Sequence, residues 1–118
     1  MQNQRIPPGD PLELHVSEHP AGVRVALAGD LDLSTAPKLS ETLEQVERDD
    51  PDVIVLDLRR LAFMDSTGVA LLLEAGKRAA DAGRELQIIK GSSQVDRLVA
   101  ETGVDEFLTF VEEGEALA

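Results

Sequence analysis

The chain has 118 residues, 42% of them hydrophobic, no cysteine, and 23 acidic against 11 basic side chains for a formal net charge of −12. That length suits one domain with a real core and is too short for two. The missing cysteines exclude a disulfide framework and a thiolate zinc site, and the charge opposes unassisted attraction to nucleic acid or an anionic membrane surface while favouring a basic protein partner.

Residues 1 to 11 contain Pro7, Pro8, Gly9 and Pro11, a composition suited to a flexible arm, and residues 12 to 118 make the single domain. Leu12, Leu14 and Val16 alternate with Glu13 and His15, Pro20-Ala21-Gly22 supplies a turn, and Val23, Val25 and Leu27 resume the alternation, which predicts a β-hairpin. Ser34 or Thr35 can cap the next helix, with Pro37 tolerated in its first turn. Leu39, Leu43 and Val46 form its apolar stripe, which ends before Asp49-Asp50-Pro51.

Val53 to Leu58 is a short apolar run rich in β-branched residues and reads as a strand buried on both faces. A helix over 66 to 82 follows. Its sheet-facing stripe is Val69, Leu72, Leu73, Gly76 and Ala80, with Glu74, Lys77, Arg78 and Asp81 turned away, and Gly83 stops it. Leu86 to Ile89 is a further strand, and Ser92 or Ser93 caps a helix whose buried face is Val95, Leu98 and Val99 and whose end is Gly103. Phe107-Leu108-Thr109-Phe110 is a final strand or a short packing segment. The order β-β-α-β-α-β-α-β gives an α/β domain, with connections over 30 to 52 and 66 to 85 long enough for helical crossovers between parallel strands.

The segment Leu61 to Val69 places two adjacent hydroxyls, Ser66 and Thr67, where an apolar strand hands over to an amphipathic helix, with Asp65 or Ser66 as the N-cap. A helix start has N–H groups without intrahelical partners and about half a unit of positive charge. A phosphate on Ser66 would meet those donors and Gly68, whose missing Cβ admits close approach, and would bring roughly −1.5 to −2 charges beside Asp65. The same residues also make an ordinary cap, since Ser, Thr and Asp are preferred there. Asp30, Asp32 and Ser34 carry the same two readings, turn chemistry or partner surface. Phe63 and Met64 read as core residues that staple the helix to the sheet.

Phe63-Met64-Asp65-Ser66-Thr67-Gly68-Val69 resembles the phosphoacceptor motif of the anti-sigma factor antagonists of the STAS domain family, and Gly29 to Pro37 resembles that family's turn from second strand into first helix. With the element order, the resemblance covers about residues 12 to 113. It implies a STAS fold, a central mixed sheet of four to five strands with three to four helices packed on it. It also implies an anti-anti-sigma factor that, unphosphorylated, binds an anti-sigma factor serine kinase and releases a sigma factor to RNA polymerase. Phosphorylation on Ser66, with Thr67 as backup acceptor, ends that binding, and a metal-dependent serine phosphatase restores it. The partner surface carried over comprises Asp30, Asp32, Ser34, Asp65, Ser66, Thr67 and Gly68.

The alternative is a regulatory or scaffold STAS subunit of a signalling assembly or transporter complex, without a phosphorylation cycle. An enzyme is not expected. Asp57 ends a strand as an aspartyl-phosphate acceptor would, but only Lys90 approaches the position of a lysine partner, no nucleotide-cradling loop is present, and nothing pairs the two histidines with Ser66. His15 and His19 read as surface residues, so no metal, no cofactor and no direct nucleic-acid or membrane partner is assigned. No apolar run approaches the roughly 18 residues that span a bilayer and no signal core opens the chain, so the expected location is cytoplasmic.

Overall fold

The computed structural model describes residues 11–116, so the expected arm lies, apart from Pro11, outside the described residues. The elements are β1 (Leu12–His19), β2 (Gly22–Leu31), α1 (Ala36–Arg48), β3 (Val53–Met64), α2 (Ser66–Ala82), β4 (Glu85–Ile89), α3 (Ser93–Thr102) and β5 (Thr109–Phe110), with single 3₁₀ turns at Val104–Glu106 and Glu113–Glu115. The strands form one sheet in chain order, β1 antiparallel to β2 and every later pair parallel. This is the expected mixed α/β architecture with three α-helices.

Local chemistry explains most boundaries. His19 pairs with Gly22 across the two-residue turn Pro20-Ala21, and β2 then buries Val23, Val25 and Leu27 while Arg24, Ala26 and Ala28 take the opposite face. Leu39, Leu43 and Val46 are the buried stripe of α1, as their spacing predicts. Gly83 closes α2 in the left-handed conformation at φ 71°, where a residue with a Cβ would be strained. Ser92 caps α3 by accepting the Val95 N–H, and Val95 and Val99 are buried with Leu98 half-buried beside them.

β3 departs from expectation. It runs to Met64 rather than stopping at Leu58, because its pairing with β2 contains two irregularities: Ala26 and Ala28 face Asp57 and Arg60, and Gly29 and Asp30 face Leu61 and Phe63. At each step β3 uses one residue more than β2. Leu58, Leu61 and Met64 therefore all turn inward at a period of three, and Phe63, expected in the core, is 40% exposed. The face of α2 is also shifted. Its buried residues are Gly68, Val69, Leu72, Ala75 and Ala79, whereas Leu73 and Ala80 are exposed and Gly76 only half-buried. Small residues mark the line of closest approach between helix and sheet, so choosing the larger Leu73 misplaces the stripe.

The main core lies between the sheet and the three helices. The middle of β3 is buried on its other face too, but by a different means. Val55 and Ile89 pack with Ala116 and Val111, and next to them the buried Asp57 carboxylate accepts from Arg59 Nε and Nη2 at 2.9 and 2.6 Å and from Arg24 Nη1 at 3.3 Å. Arg24 also binds Glu113 at 2.9 Å, tying the C-terminal segment to the sheet.

The hydrogen bond from the Arg59 side chain, helped by its N–H and by the charges of Arg59 and Arg24, holds the Asp57 carboxyl below its usual range despite burial. A carboxyl with a lowered folded pKa stabilises the fold above the unfolded pKa and loses that contribution as the pH falls through the folded value. Asp57→Asn should therefore cost about 1.5 to 3 kcal/mol at neutral pH, the usual worth of hydrogen bonds to a charged group. Urea denaturation along a pH series should show the gap from wild type narrowing as the pH drops below 3.8; a pH-independent gap would refute the ion-pair account.

Candidate functional site

Parallel pairing of β2 and β3 sets Leu31 opposite Met64 and Asp30 opposite Phe63. The turn leaving β2 and the start of α2 thus lie together at the carboxyl ends of the strands, the edge where open α/β sheets place their binding sites. The Asp65 N–H donates to the Leu31 carbonyl at 3.3 Å, which locks the two segments together. Asp30, Asp32, Ser34, Asp65, Ser66 and Thr67, far apart in sequence, belong to one edge.

Asp65 is the N-cap. Its Oδ1 accepts from the N–H groups of Thr67 at 2.9 Å and Gly68 at 3.4 Å, while its carbonyl accepts the Val69 N–H at 3.2 Å. Ser66 follows as the first helical residue. It is exposed, and among the described residues no hydrogen bond engages its hydroxyl; Thr67 is half-buried. Ser66 is therefore the more accessible of the two hydroxyls. Of the expected open donors, the Thr67 and Gly68 N–H groups are already filled by Asp65 and are not free for a phosphate on Ser66.

The β2–α1 turn is held by its own side chains. Asp32 Oδ1 accepts from Ser34 Oγ at 2.7 Å and from the N–H groups of Ser34 and Thr35 at 3.0 and 3.2 Å. The Ser34 hydroxyl is the main cause that keeps the Asp32 carboxyl below its ordinary range, with the backbone donors adding to it. Thr35, buried at 5% exposure, donates its hydroxyl to the Asp30 carbonyl and accepts the Asp32 N–H, both at 2.9 Å. It occupies the N-cap position of α1 yet turns its side chain back into the turn and makes no cap bond to the helix. Asp32 and Ser34 thus perform turn chemistry, and Leu33 between them is left 76% exposed.

Of two further contributors, sequence reasoning named Thr35 only as a possible helix cap and missed Gln94. Thr35 carried a signal, since a hydroxyl after Asp-x-Ser suits such a turn. Gln94 carried none: its carboxamide accepts the Met64 N–H at 2.9 Å and donates to the Met64 carbonyl at 3.0 Å across 30 residues of sequence. The residues of the aspartyl-phosphate reading do not assemble a receiver site. Asp57 is held by two arginines, and the Lys90 ammonium lies 5.2 Å from the centre of the Phe110 ring. His15 and His19 are exposed, and no cluster able to hold a metal occurs among the described residues. No described helix is long and apolar enough to cross a membrane.

Comparison with known proteins fits this geometry. The family model described as "Mlab, STAS domain" matches residues 14–112. The anti-sigma-B factor antagonist of Staphylococcus aureus (strain NCTC 8325 / PS 47) is 34% identical over 90 residues, 76% of this chain and 82% of that protein. Among solved structures, an anti-sigma factor antagonist from Mycobacterium paratuberculosis superposes with a TM-score of 0.79 at 23% identity, covering 89% of each chain. The Bacillus cell fate determinant SpoIIAA in its phosphorylated form gives 0.67 at 19% identity, covering 87% of this chain and 95% of that one.

Gly68 was expected to admit a ligand, but it is buried and serves the core. A Cβ there would sit 2.5 Å from Met64 Cγ, 2.9 Å from its Sδ and 3.0 Å from Leu31 Cδ2, so the missing side chain lets α2 settle against the ends of β2 and β3. Gly68→Ala should cost about 1 to 3 kcal/mol through overpacking, in spite of alanine's better helix propensity. A thermal or urea melt of that variant at or above wild-type stability would contradict the close approach.

Proposed function

This chain belongs to the STAS domain family, among relatives named as anti-sigma factor antagonists, and on that premise we propose that it is an anti-anti-sigma factor switched by phosphorylation of Ser66. In its unphosphorylated form it binds an anti-sigma factor that is also a serine kinase and so frees a sigma factor for RNA polymerase. The kinase phosphorylates Ser66, with the half-buried Thr67 as the poorer acceptor, and a metal-dependent serine phosphatase resets the switch. The observation that carries this reading is the exposed, unbonded Ser66 hydroxyl at the first position of α2, beside the turn of Asp30, Asp32 and Ser34.

The chain acts here as a substrate and binding partner. Ser66 needs no base of its own, because a kinase supplies the base, magnesium and nucleotide for phosphoryl transfer. A phosphate adds roughly −1.5 to −2 charges to an edge that already holds Asp30, Asp32 and Asp65, where Asp65 already occupies the Thr67 and Gly68 N–H groups. The domain has no reason to refold, so the change is confined to the binding surface. On this reading the chain is a cytoplasmic regulator that reaches transcription through proteins and not through direct contact with nucleic acid. The second reading, a constitutive scaffold, shares the fold and lacks the phosphate.

Intact-mass analysis of the protein from its native cells, before and after serine phosphatase treatment and with fragmentation, should locate a removable phosphate on Ser66. Its absence across growth and stress conditions would favour the scaffold. With the cognate kinase, Ser66→Ala should bind persistently and Ser66→Asp poorly, while both keep a melting transition within about 0.5 to 2 kcal/mol of wild type. Equal binding by the two variants would sink the switch.

A further inference from the structure

β3 is longer than its neighbour β4. The two pair only from Val53 opposite Glu85 to Asp57 opposite Ile89, so the stretch of β3 that leads to Ser66 has no strand on that flank. At the last residue of the strand the Gln94 carboxamide takes the place of one. Its Oε1 accepts the Met64 N–H at 2.9 Å and its Nε2 donates to the Met64 carbonyl at 3.0 Å, the same two groups that a paired strand would satisfy. On the opposite flank the next N–H, that of Asp65, donates to Leu31 in β2. The Met64–Asp65 peptide is thereby held from both sides, by β2 and by α3, directly before the carboxylate that caps α2 and the serine that follows it. Gln94 is itself fixed, because Ser92 caps α3 and Val95 and Val99 anchor that helix in the core.

We infer that Gln94 is a positioning residue for Ser66, and that it couples the state of the Ser66 turn to the start of α3. A new charge at residue 66 acts on the adjoining Asp65 cap, hence on the Met64–Asp65 peptide, and Gln94 is the side chain bonded to that peptide from α3. The functional weight of this link rests on Ser66 being the phosphoacceptor, but the link itself can be measured on the full chain alone.

The test uses ¹⁵N–¹H spectra and amide exchange of the intact protein. In Gln94→Leu, which keeps the volume and removes both bonds, Met64 N–H exchange should quicken about tenfold, the upper range for one lost net hydrogen bond, while core amides such as Leu72 and Ile88 stay near wild type. Ser66→Asp should shift the Gln94 side-chain NH₂ and the Ser93 to Val95 amides in the wild-type background. In the Gln94→Leu background the α3 shifts should disappear although those in α2 persist, a result that a merely structural role would not give. Gln94→Glu provides a second, more conservative variant. Its protonated acid can make both bonds, whereas its carboxylate still accepts the Met64 N–H but cannot donate to the Met64 carbonyl, so Met64 N–H protection should stay closer to wild type than in Gln94→Leu while the Met64 carbonyl ¹³C shift moves as the carboxyl ionises. Unchanged Met64 exchange in Gln94→Leu, or α3 shifts undiminished in that background, would overturn the proposal. Lack of phosphate on Ser66 in cells would instead remove the phosphorylation reading and leave the link standing.

Discussion

The register between β2 and β3 is the constraint on which the site depends. Only when Leu31 faces Met64 do the two strands end level, and only then do the Asp32 turn and the Asp65 cap adjoin. β3 reaches that register with two more residues than uninterrupted pairing would need, and the surplus is absorbed in its two irregularities. The inward sequence Leu58, Leu61, Met64 is the outcome, as is the outward turn of Phe63. A regular strand of the same length would have carried the Asp65 cap beyond the end of β2 and separated the two halves of the site.

The helix start is then fixed by contacts with no slack. Gly68 rests on Met64 and Leu31, Ala75 and Ala79 continue the close approach, and Asp65 fills two backbone donors while the Met64 peptide is bonded on both sides. Ser66 projects from this rigid base as the first helical residue. A rigid presentation would suit the proposed phosphoacceptor, since little conformational entropy is lost when a partner binds it. It also means that a proposed phosphate would be felt beyond the site through surface charge or through the groups bonded to the turn, of which, among the described residues, Gln94 lies on another helix.

What could be read in the sequence was what is local. The hairpin, the stripe Leu39, Leu43, Val46, the caps at Asp65 or Ser66 and at Ser92 or Ser93, and the stops at Gly83 and Gly103 each follow from residues within one or two turns of chain, and the structure finds each, with Asp65 and Ser92 as the caps. The end of β3 was not legible because its irregularities break the alternation by which strands are recognised. Leu73 misled for a different reason, as it is large and apolar but sits past the edge of a contact line made by alanine and glycine. The pairing of Gln94 with Met64 and of Asp57 with Arg24 spans 30 and 33 residues, and no local pattern encodes such partners. For the candidate site, the helix start at Asp65 and Ser66 was legible in the sequence, whereas the occupancy of the neighbouring donors and the inward role of Gly68 needed the geometry.

Charge and desolvation pull the proposed switch in opposite directions, and magnitude decides between them. Arg24 and Arg59 are spent on Asp57 and Glu113, Arg78 on Glu47 and Arg84 on Asp50, all away from the Ser66 edge. Among the described residues no ion pair offsets Asp30, Asp32 or Asp65, so this edge is suited to a partner with a basic rim, and a phosphate would strengthen that long-range attraction. Between solvent-exposed charges at 4 Å, however, the attraction is only about 1 kcal/mol, and salt screens it further. Two exposed apolar side chains, Leu33 and Phe63, lie on the segments that make this edge. A partner packed against them must dehydrate the serine, which a neutral hydroxyl tolerates if it finds one hydrogen bond, whereas stripping water from a doubly charged phosphate costs several kcal/mol even after relaxation. The short-range term therefore prevails. On the proposed reading, the unphosphorylated form would be drawn in by its acidic edge and held by an apolar contact, and a phosphate would oppose that contact while leaving the fold, and even the initial attraction, in place.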